Sequence, residues 1–135
     1  MPKRTSELGT LYKGSVTGQA SWLAHRLTGV DILLFLFAHI VDTALVGWGP
    51  ETYNKVIAVY HHPIVQIMEL GLVGAVIFHA LNGVKIMIID FWPSTAVRQK
   101  QLTLGTVTLF LAAMAPITWF MGRRIIEKII EDGIF

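Results

Sequence analysis

The chain has 135 residues, of which 53% are hydrophobic and 15% are charged, and its formal net charge is +2. This composition is that of an integral membrane protein rather than a soluble domain. The chain has no cysteine, which excludes a disulfide framework and an iron–sulfur cluster held by its own thiolates. The charges flank apolar stretches, and no basic stripe or glycine-rich phosphate loop indicates a nucleic-acid partner.

Three apolar stretches follow a polar amino-terminal segment of residues 1–21. We predict transmembrane helices over about 22–47, 64–91 and 102–122, because each stretch supplies the ~20 residues that cross a hydrocarbon core. Tryptophans near the predicted membrane edges fit the aromatic belt of a bilayer. They are Trp22, Trp48, Trp92 and Trp119. The sequence therefore predicts an all-α, integral membrane protein, with residues 1–135 forming a single membrane-anchor domain.

The first predicted helix has two chemically different sides when its residues are placed at ~100° intervals. The apolar side carries Val30, Leu33, Leu34, Phe37, Ile40, Val41 and Leu45. The polar side carries Thr28, Asp31, His39, Asp42 and Thr43. Two acids and a histidine are costly in hydrocarbon, so we expect the polar side to face protein, cofactor or water. Because three helices have little interior, we infer an obligate membrane partner.

The segments that connect and follow the predicted transmembrane helices also contain residues that indicate local structure. The first one has room for a short helix over residues 51–60, and Pro63 suits the first turn of the second transmembrane helix. We interpret the adjacent His61 and His62 as solvent-exposed rather than metal-binding, because neighbours in sequence point apart. Pro116 predicts a kink in the third helix. The isoleucine-rich tail from residue 123 onward is either a short amphipathic C-terminal extension at the interface or a continuation of that helix.

The distribution of lysine and arginine gives an orientation. One side of the membrane would hold Lys3, Arg4, Lys13, Arg26, Arg98 and Lys100. The other side would hold Lys55, Arg123, Arg124 and Lys128. The excess on the first side, six residues against four, favours an amino terminus in the cytoplasm or in the mitochondrial matrix.

His79 is the leading functional candidate, because a histidine in the middle of an apolar helix is expensive to bury without a purpose. Gly71, Ala75 and Gly83 share its stripe at intervals of four residues, and small side chains there would leave clearance for a flat ligand such as haem. An axial haem ligand is one interpretation. A histidine that hydrogen-bonds to a neighbouring helix is the other, because small residues also serve ordinary helix packing.

His39 in the first helix is a candidate ligand for a second haem nearer the outer surface. It is also placed to pair with Asp42, one turn further along, and we favour that structural or proton-pathway role. Asp90, near the end of the second helix, either marks the membrane edge or passes protons between inner water and a buried site.

Ser21, His25 and Arg26 lie at the inner end of the first helix. A hydroxyl, an imidazole and a guanidinium at a membrane edge suit a quinone carbonyl or a haem propionate. Arg26 would equally serve snorkelling and topology control.

Two stretches resemble signatures of the cytochrome b subunit of succinate dehydrogenase. SWLAHRLTG at residues 21–29 is similar to the His-Arg-x-Ser/Thr-Gly motif that opens the first helix of that family. HALNGVKIMIID at residues 79–90 is similar to its second motif, His-x-x-x-Gly-x-Arg/Lys with a following Asp. The segments around His39 and His79 look most like the actinobacterial branch. Three spans and this length also match, so the resemblance covers nearly the whole chain.

The resemblance implies a C-subunit-type, haem-binding anchor within a succinate:quinone oxidoreductase. Its expected partners are a flavoprotein subunit, an iron–sulfur subunit and a second small membrane-anchor subunit, with FAD and iron–sulfur clusters only on those partners. Electrons would pass from the partner clusters to menaquinone or ubiquinone in the bilayer. His79 would be an axial ligand of haem b, and His25 and Arg26 would lie near the haem propionates.

The resemblance implies that Arg26 also belongs to the quinone pocket. The family serine commonly lies four residues before that arginine, where this chain has Trp22, so Ser21 is a displaced candidate for the quinone role. Two alternatives remain: the anchor of a fumarate reductase running in the reverse direction, and a non-redox transport or helper subunit whose Asp31, His39 and Asp42 line an ion path.

Overall fold

The architecture is a bundle of three long helices with a short helix across one end. The computed structural model describes residues 16–132. In chain order these form α1 (Val16–Ala44), a 3₁₀ turn (Leu45–Trp48), α2 (Pro50–Tyr60), α3 (Pro63–Phe91), a second 3₁₀ turn (Pro93–Arg98) and α4 (Gln99–Asp132). The described part contains no strand, so the all-α prediction is confirmed.

Three segments are long and apolar enough to cross a membrane: Gly18–Trp48, Pro63–Phe91 and Pro93–Glu131. The prediction of three spans is thus confirmed. The first helix begins by Val16, before the expected start near residue 22, because small polar residues do not prevent helix formation. Residues 1–15 of the predicted polar segment lie outside the described part of the chain.

The short helix predicted over residues 51–60 is present as α2. Gly49 introduces it with a φ of 104°, a conformation that glycine adopts without a steric penalty. Pro63 begins α3 as expected, and the exposed His62 caps that helix by accepting a hydrogen bond from the Ile64 amide at 3.3 Å. The carboxyl-terminal residues continue α4 to Asp132 through Pro116, which corresponds to the second of the two alternatives for the tail.

α3 is the central helix, since it packs along both α1 and α4 while those two touch little. Gly74 brings α3 close to Met114 and Phe110 of α4, and the rings of Phe78 and Phe110 meet edge to face at 6.0 Å. At the far end of the bundle, the Lys128 ammonium donates to the His61 carbonyl oxygen. We call this end the far side, and the end where α1 begins and α3 finishes the near side.

Little of the chain is buried. Ile125 is the one buried hydrophobic residue among those described, and the apolar side predicted for α1 is exposed along most of its length. The most completely buried side chains are instead polar, with Asn82 at 1% and Lys85 at 6% exposure. The polar side of α1 is only partly covered, because Thr28 and Asp42 are half-buried while Asp31 and His39 are exposed.

Candidate functional site

His79 lies on the face of α3 that packs against α1, with one ring nitrogen fixed by the protein. Its Nδ1 is 3.1 Å from the carbonyl oxygen of His25 and 3.2 Å from Oγ1 of Thr28. A carbonyl oxygen only accepts hydrogen bonds, so the Nδ1 of His79 carries the ring proton and Nε2 keeps its lone pair. Within the described residues, we find no hydrogen bond to this Nε2. An imidazole held through one nitrogen with the other available is suited to ligate a metal.

The clearance around His79 comes from a glycine on the opposite helix. A Cβ built on Gly29 would lie 3.0 Å from Cε1 of His79, which is closer than carbon atoms normally approach. Gly83, which the sequence placed beside His79, faces the ring of His25 instead, with 3.7 Å to a built Cβ. A Cβ on Gly71 would meet nothing within 4 Å. The clearance around His79 therefore comes mainly from Gly29 on α1, and not from the small residues that share a stripe with His79 on α3.

His25 stacks on His79, with 3.9 Å between ring centroids and 9° between ring planes. Its Nδ1 is buried and has no hydrogen-bond partner among residues 16–132. A buried polar atom without a partner loses its hydration without compensation, which costs ~1–3 kcal/mol. A carboxylate or carbonyl oxygen arriving beside this ring would remove that cost. The residues present therefore fit haem b, with His79 at the iron and His25 near the propionates.

A second polar cluster lies next to the histidine pair, toward the near side. The Lys85 ammonium donates to Ser21 Oγ at 2.5 Å, and Ser21 Oγ donates to Asn82 Oδ1 at 2.6 Å. The Asn82 amide nitrogen is 3.5 Å from the Ser21 carbonyl oxygen. The two histidines and this cluster thus form successive layers between the antiparallel helices α1 and α3.

The remaining near-side candidates lie outside this cluster. The Arg26 guanidinium sits over the ring of Trp22, 4.5 Å from its centroid, and both side chains are exposed. This contact keeps the guanidinium at the bundle surface, where its donors remain accessible. Asp90 is exposed, and we find no ion pair for it within the described part of the chain.

The far side holds a separate cavity of about 400 Å³ between α1, α2 and α3. Its lining includes His39, Asp42, Tyr60 and Glu69. The expected pair of His39 with Asp42 is not formed, because Asp42 accepts a hydrogen bond from the Tyr60 hydroxyl and the His39 ring stacks on Phe35, 5.6 Å between centroids.

Tyr60 lies outside the three membrane-spanning segments, and its environment favours the neutral phenol. The hydrogen bond to Asp42 raises the pKa of Tyr60 to about 12, from an ordinary value of 10.0. Burial and the negative charges of Asp42 and Glu69 act in the same direction. This bond joins α2 to α1 and closes one wall of the far-side cavity. We find no group of three or more metal-ligating side chains within the described residues.

Sequence reasoning underestimated Asn82, Lys85 and Gly29. Asn82 and Lys85 are three residues apart on α3, and a polar pair at that spacing inside an apolar stretch was the signal that could have found them. Gly29 was visible in the sequence only as the last residue of the first motif, and its contact was not predictable because it depends on which atom of the opposite helix lies across from it.

Comparisons with known proteins agree with the architecture. The family model described as succinate dehydrogenase/fumarate reductase transmembrane subunit matches residues 2–118. The chain is 48% identical over 119 residues to the succinate dehydrogenase 2 membrane subunit SdhC of Mycobacterium tuberculosis, covering 87% of this chain and 86% of that protein. Two archaeal succinate dehydrogenase hydrophobic membrane anchor subunits are also similar. That of Halobacterium salinarum is 26% identical over 77% of this chain and 81% of its own length, and that of Archaeoglobus fulgidus is 29% identical over 73% and 84%.

Proposed function

This chain belongs to the succinate dehydrogenase/fumarate reductase transmembrane subunit family, and from that premise we propose that it binds haem b through His79 and forms one wall of a quinone site. It is a multi-pass membrane subunit of the succinate dehydrogenase complex, and it anchors flavoprotein and iron–sulfur partners. We further propose a second small membrane subunit beside it and an amino terminus in the cytoplasm of a bacterial inner membrane.

The observation that carries the haem proposal is the 3.1 Å contact of His79 Nδ1 with the His25 carbonyl oxygen. The His25 carbonyl oxygen holds the ring proton on Nδ1, which leaves Nε2 as the nitrogen that can ligate iron. Bound haem b would supply a one-electron redox centre whose potential depends on its axial ligands, burial and nearby charges. Thr28 and Gly29 contribute by fixing the direction and depth of the imidazole.

The quinone proposal rests on the near-side polar groups. Reduction of a quinone to a quinol takes up two electrons, which the partner iron–sulfur subunit would deliver, and two protons from the aqueous side. Arg26 would donate hydrogen bonds to the quinone oxygen. Ser21 is a further candidate at the same end of α1, and it can donate to a quinone only if its hydroxyl hydrogen leaves Asn82 Oδ1. The exposed Asp90 is placed near the end of α3, where it can exchange protons with near-side water.

The direction of turnover that we favour is succinate oxidation. The three similar proteins described above are all named as succinate dehydrogenase subunits, whereas fumarate reductase enters only through the family description. The alternative of a transport subunit with an ion path along α1 is less favoured, because Asp42 accepts a hydrogen bond from Tyr60 and does not pair with His39.

The test of the haem proposal compares His79→Ala with His61→Ala in the intact complex. His61 is an exposed histidine of the far-side connection, so its replacement is a matched control for the loss of an imidazole. We expect His79→Ala to remove the b-type absorbance or to reduce it strongly, and His61→Ala to keep it. A full spectrum in an assembled His79→Ala complex would contradict the assignment.

The quinone role has a separate test. We expect Arg26→Leu to lower the rate of quinone reduction while succinate oxidation by a soluble dye acceptor continues, because the flavin and its substrate lie on another subunit. If both rates fall together with loss of the partner subunits, Arg26 has a structural role instead.

A further inference from the structure

Lys85 is an ammonium buried within a membrane-spanning helix, and within the described residues we find no carboxylate that neutralises it. It lies six residues before the end of α3 and is 6% exposed. A buried charge is retained in proteins when it is paired, because the loss of hydration is otherwise too costly. Within membranes such a residue is a functional candidate that requires a partner.

The described residues provide one hydrogen-bond acceptor and no carboxylate for this ammonium. That acceptor is Ser21 Oγ, at 2.5 Å from Nζ. Ser21 in turn donates its hydroxyl hydrogen to Asn82 Oδ1, so the hydroxyl must present a lone pair to Lys85. The hydrogen bonds therefore run in one direction, from the Lys85 ammonium to the Ser21 hydroxyl and from that hydroxyl to the Asn82 side-chain amide. They fix the position of the ammonium but leave its positive charge without a counter-charge among the described residues.

Asn82 fixes this arrangement because it is the most deeply buried side chain of the described part, at 1% exposure. At this burial the Oδ1 is shielded from bulk water, so its hydrogen bond holds Ser21 in place, and Ser21 in turn positions Lys85. Beside the cluster lies a cavity of about 20 Å³, lined also by Gly18, Trp22 and Gln99. A space of this size holds about one oxygen-sized atom.

We propose that Lys85, positioned by Ser21 and Asn82, binds an anionic oxygen between α1 and α3. This inference rests on the proposed function, which provides two sources of such an oxygen: a propionate carboxylate of haem b, and the oxyanion that forms on a quinone during its reduction. Either oxygen would supply the missing counter-charge. Lys85 acts as a hydrogen-bond donor in both cases, and Asn82 is a positioning residue that does not touch the ligand.

The distance along α3 supports an effect of Lys85 on the haem. Six residues separate His79 from Lys85, which corresponds to ~9 Å of helix rise. A unit charge ~10 Å away, at an effective dielectric constant of ~20, changes the equilibrium between ferric and ferrous haem by about tenfold. Because a nearby cation disfavours ferric relative to ferrous iron, its removal lowers the midpoint potential.

The experiment compares Lys85→Met, Lys85→Arg and Lys100→Met in the purified intact complex. Lys100 is an exposed lysine at the start of α4, so its replacement removes the same charge without touching the cluster. The readouts are the haem midpoint potential, from a spectroscopic redox titration, and KM and kcat for a soluble quinone analogue.

If the acceptor is the propionate, Lys85→Met lowers the haem potential by the equivalent of about tenfold, ~59 mV for one electron. Lys85→Arg keeps most of the potential, and Lys100→Met leaves it unchanged. The loss of the charge acts on the haem through space in either case, so kcat identifies the acceptor. If the acceptor is the quinone oxyanion, kcat for quinone reduction also falls in Lys85→Met and recovers in Lys85→Arg, whereas kcat is unchanged if the acceptor is the propionate. An assembled Lys85→Met complex with unchanged potential, KM and kcat would overturn the proposal.

Asn82→Leu provides a second variant in case Lys85→Met does not assemble. It keeps the ammonium but removes its support, so we expect a shift in the same readout, of the same sign and smaller size. Unchanged readouts in Asn82→Leu would then count against the proposal. A wild-type complex without b-type absorbance would instead refute the proposed function, which separates the two failures.

Discussion

Gly29 allows a quantitative test of how closely the two signature helices fit. A methyl group at residue 29 would lie 3.0 Å from Cε1 of His79, whereas carbon atoms in contact are normally roughly 3.5–4.0 Å apart. Gly29→Ala therefore has to move the imidazole, or the helix behind it, by ~0.5 Å. Overpacking of this kind typically costs ~1–3 kcal/mol.

Gly83→Ala is the matched comparison, because the same methyl group there would lie at 3.7 Å from Cε1 of His25, in ordinary contact. Both substitutions remove a helical glycine and should gain ~0.5–1 kcal/mol in backbone entropy, so that gain cancels in the comparison. What remains is the overpacking of His79. At 1.4 kcal/mol per factor of ten, Gly29→Ala should retain haem roughly 5- to 150-fold more weakly than Gly83→Ala.

The assay is the haem-to-protein ratio of the purified complex, together with the transfer of haem to an excess of an acceptor globin. We expect Gly29→Ala to lose haem faster than wild type and to show a perturbed b-type spectrum, while Gly83→Ala remains close to wild type. Equal ratios, transfer rates and spectra in the two variants would refute the argument that Gly29 sets the position of the ligand imidazole.

The other predictions concern the far side. If the complex holds one haem, His39→Gln should keep the full b-type spectrum, because His39 contacts Phe35 rather than the His79 site; loss of about half the haem would instead identify His39 as a second ligand. Tyr60, with its pKa raised to about 12, should remain neutral when ordinary tyrosines ionise near pH 10. The stabilising hydrogen bond to Asp42 is therefore fully present below pH 10 and is lost as the pH rises toward about 12. In a titration of tyrosinate absorbance, wild type should gain absorbance relative to Tyr60→Phe only as the pH approaches about 12. A difference in absorbance that is centred near pH 10 would contradict this.

The spans could be predicted from the sequence because hydropathy and helix length are properties of single segments. α3 illustrates this, since Pro63 at its start and the break at Pro93 are both local signals. The outer helix α2 followed from the same kind of local pattern. The start of α1 was predicted too late, because hydropathy marks where the apolar span begins and not where the helix does.

The site could be predicted only in part, because its geometry depends on the register between α1 and α3. His79 was identifiable as a polar residue within an apolar helix. Its contact with Gly29 and the hydrogen bond from Tyr60 to Asp42 were not predictable, since periodicity within one helix says nothing about which atom of another helix lies opposite. The expected pair of His39 and Asp42 failed for this reason: a partner outside α1 was available.

The exposed Asp31 has a consequence for the biogenesis of the complex. It lies near the middle of the first span, on a side of α1 that α3 and α4 leave uncovered. Insertion of an aspartate at the centre of a membrane helix costs ~2.5–3.5 kcal/mol, which the apolar residues of the span offset. A newly inserted copy is therefore stable enough to stay in the bilayer. If the proposed second membrane subunit covers this side of α1, its binding removes the cost of exposing Asp31 to lipid, and Asp31 then favours assembly over the solitary chain.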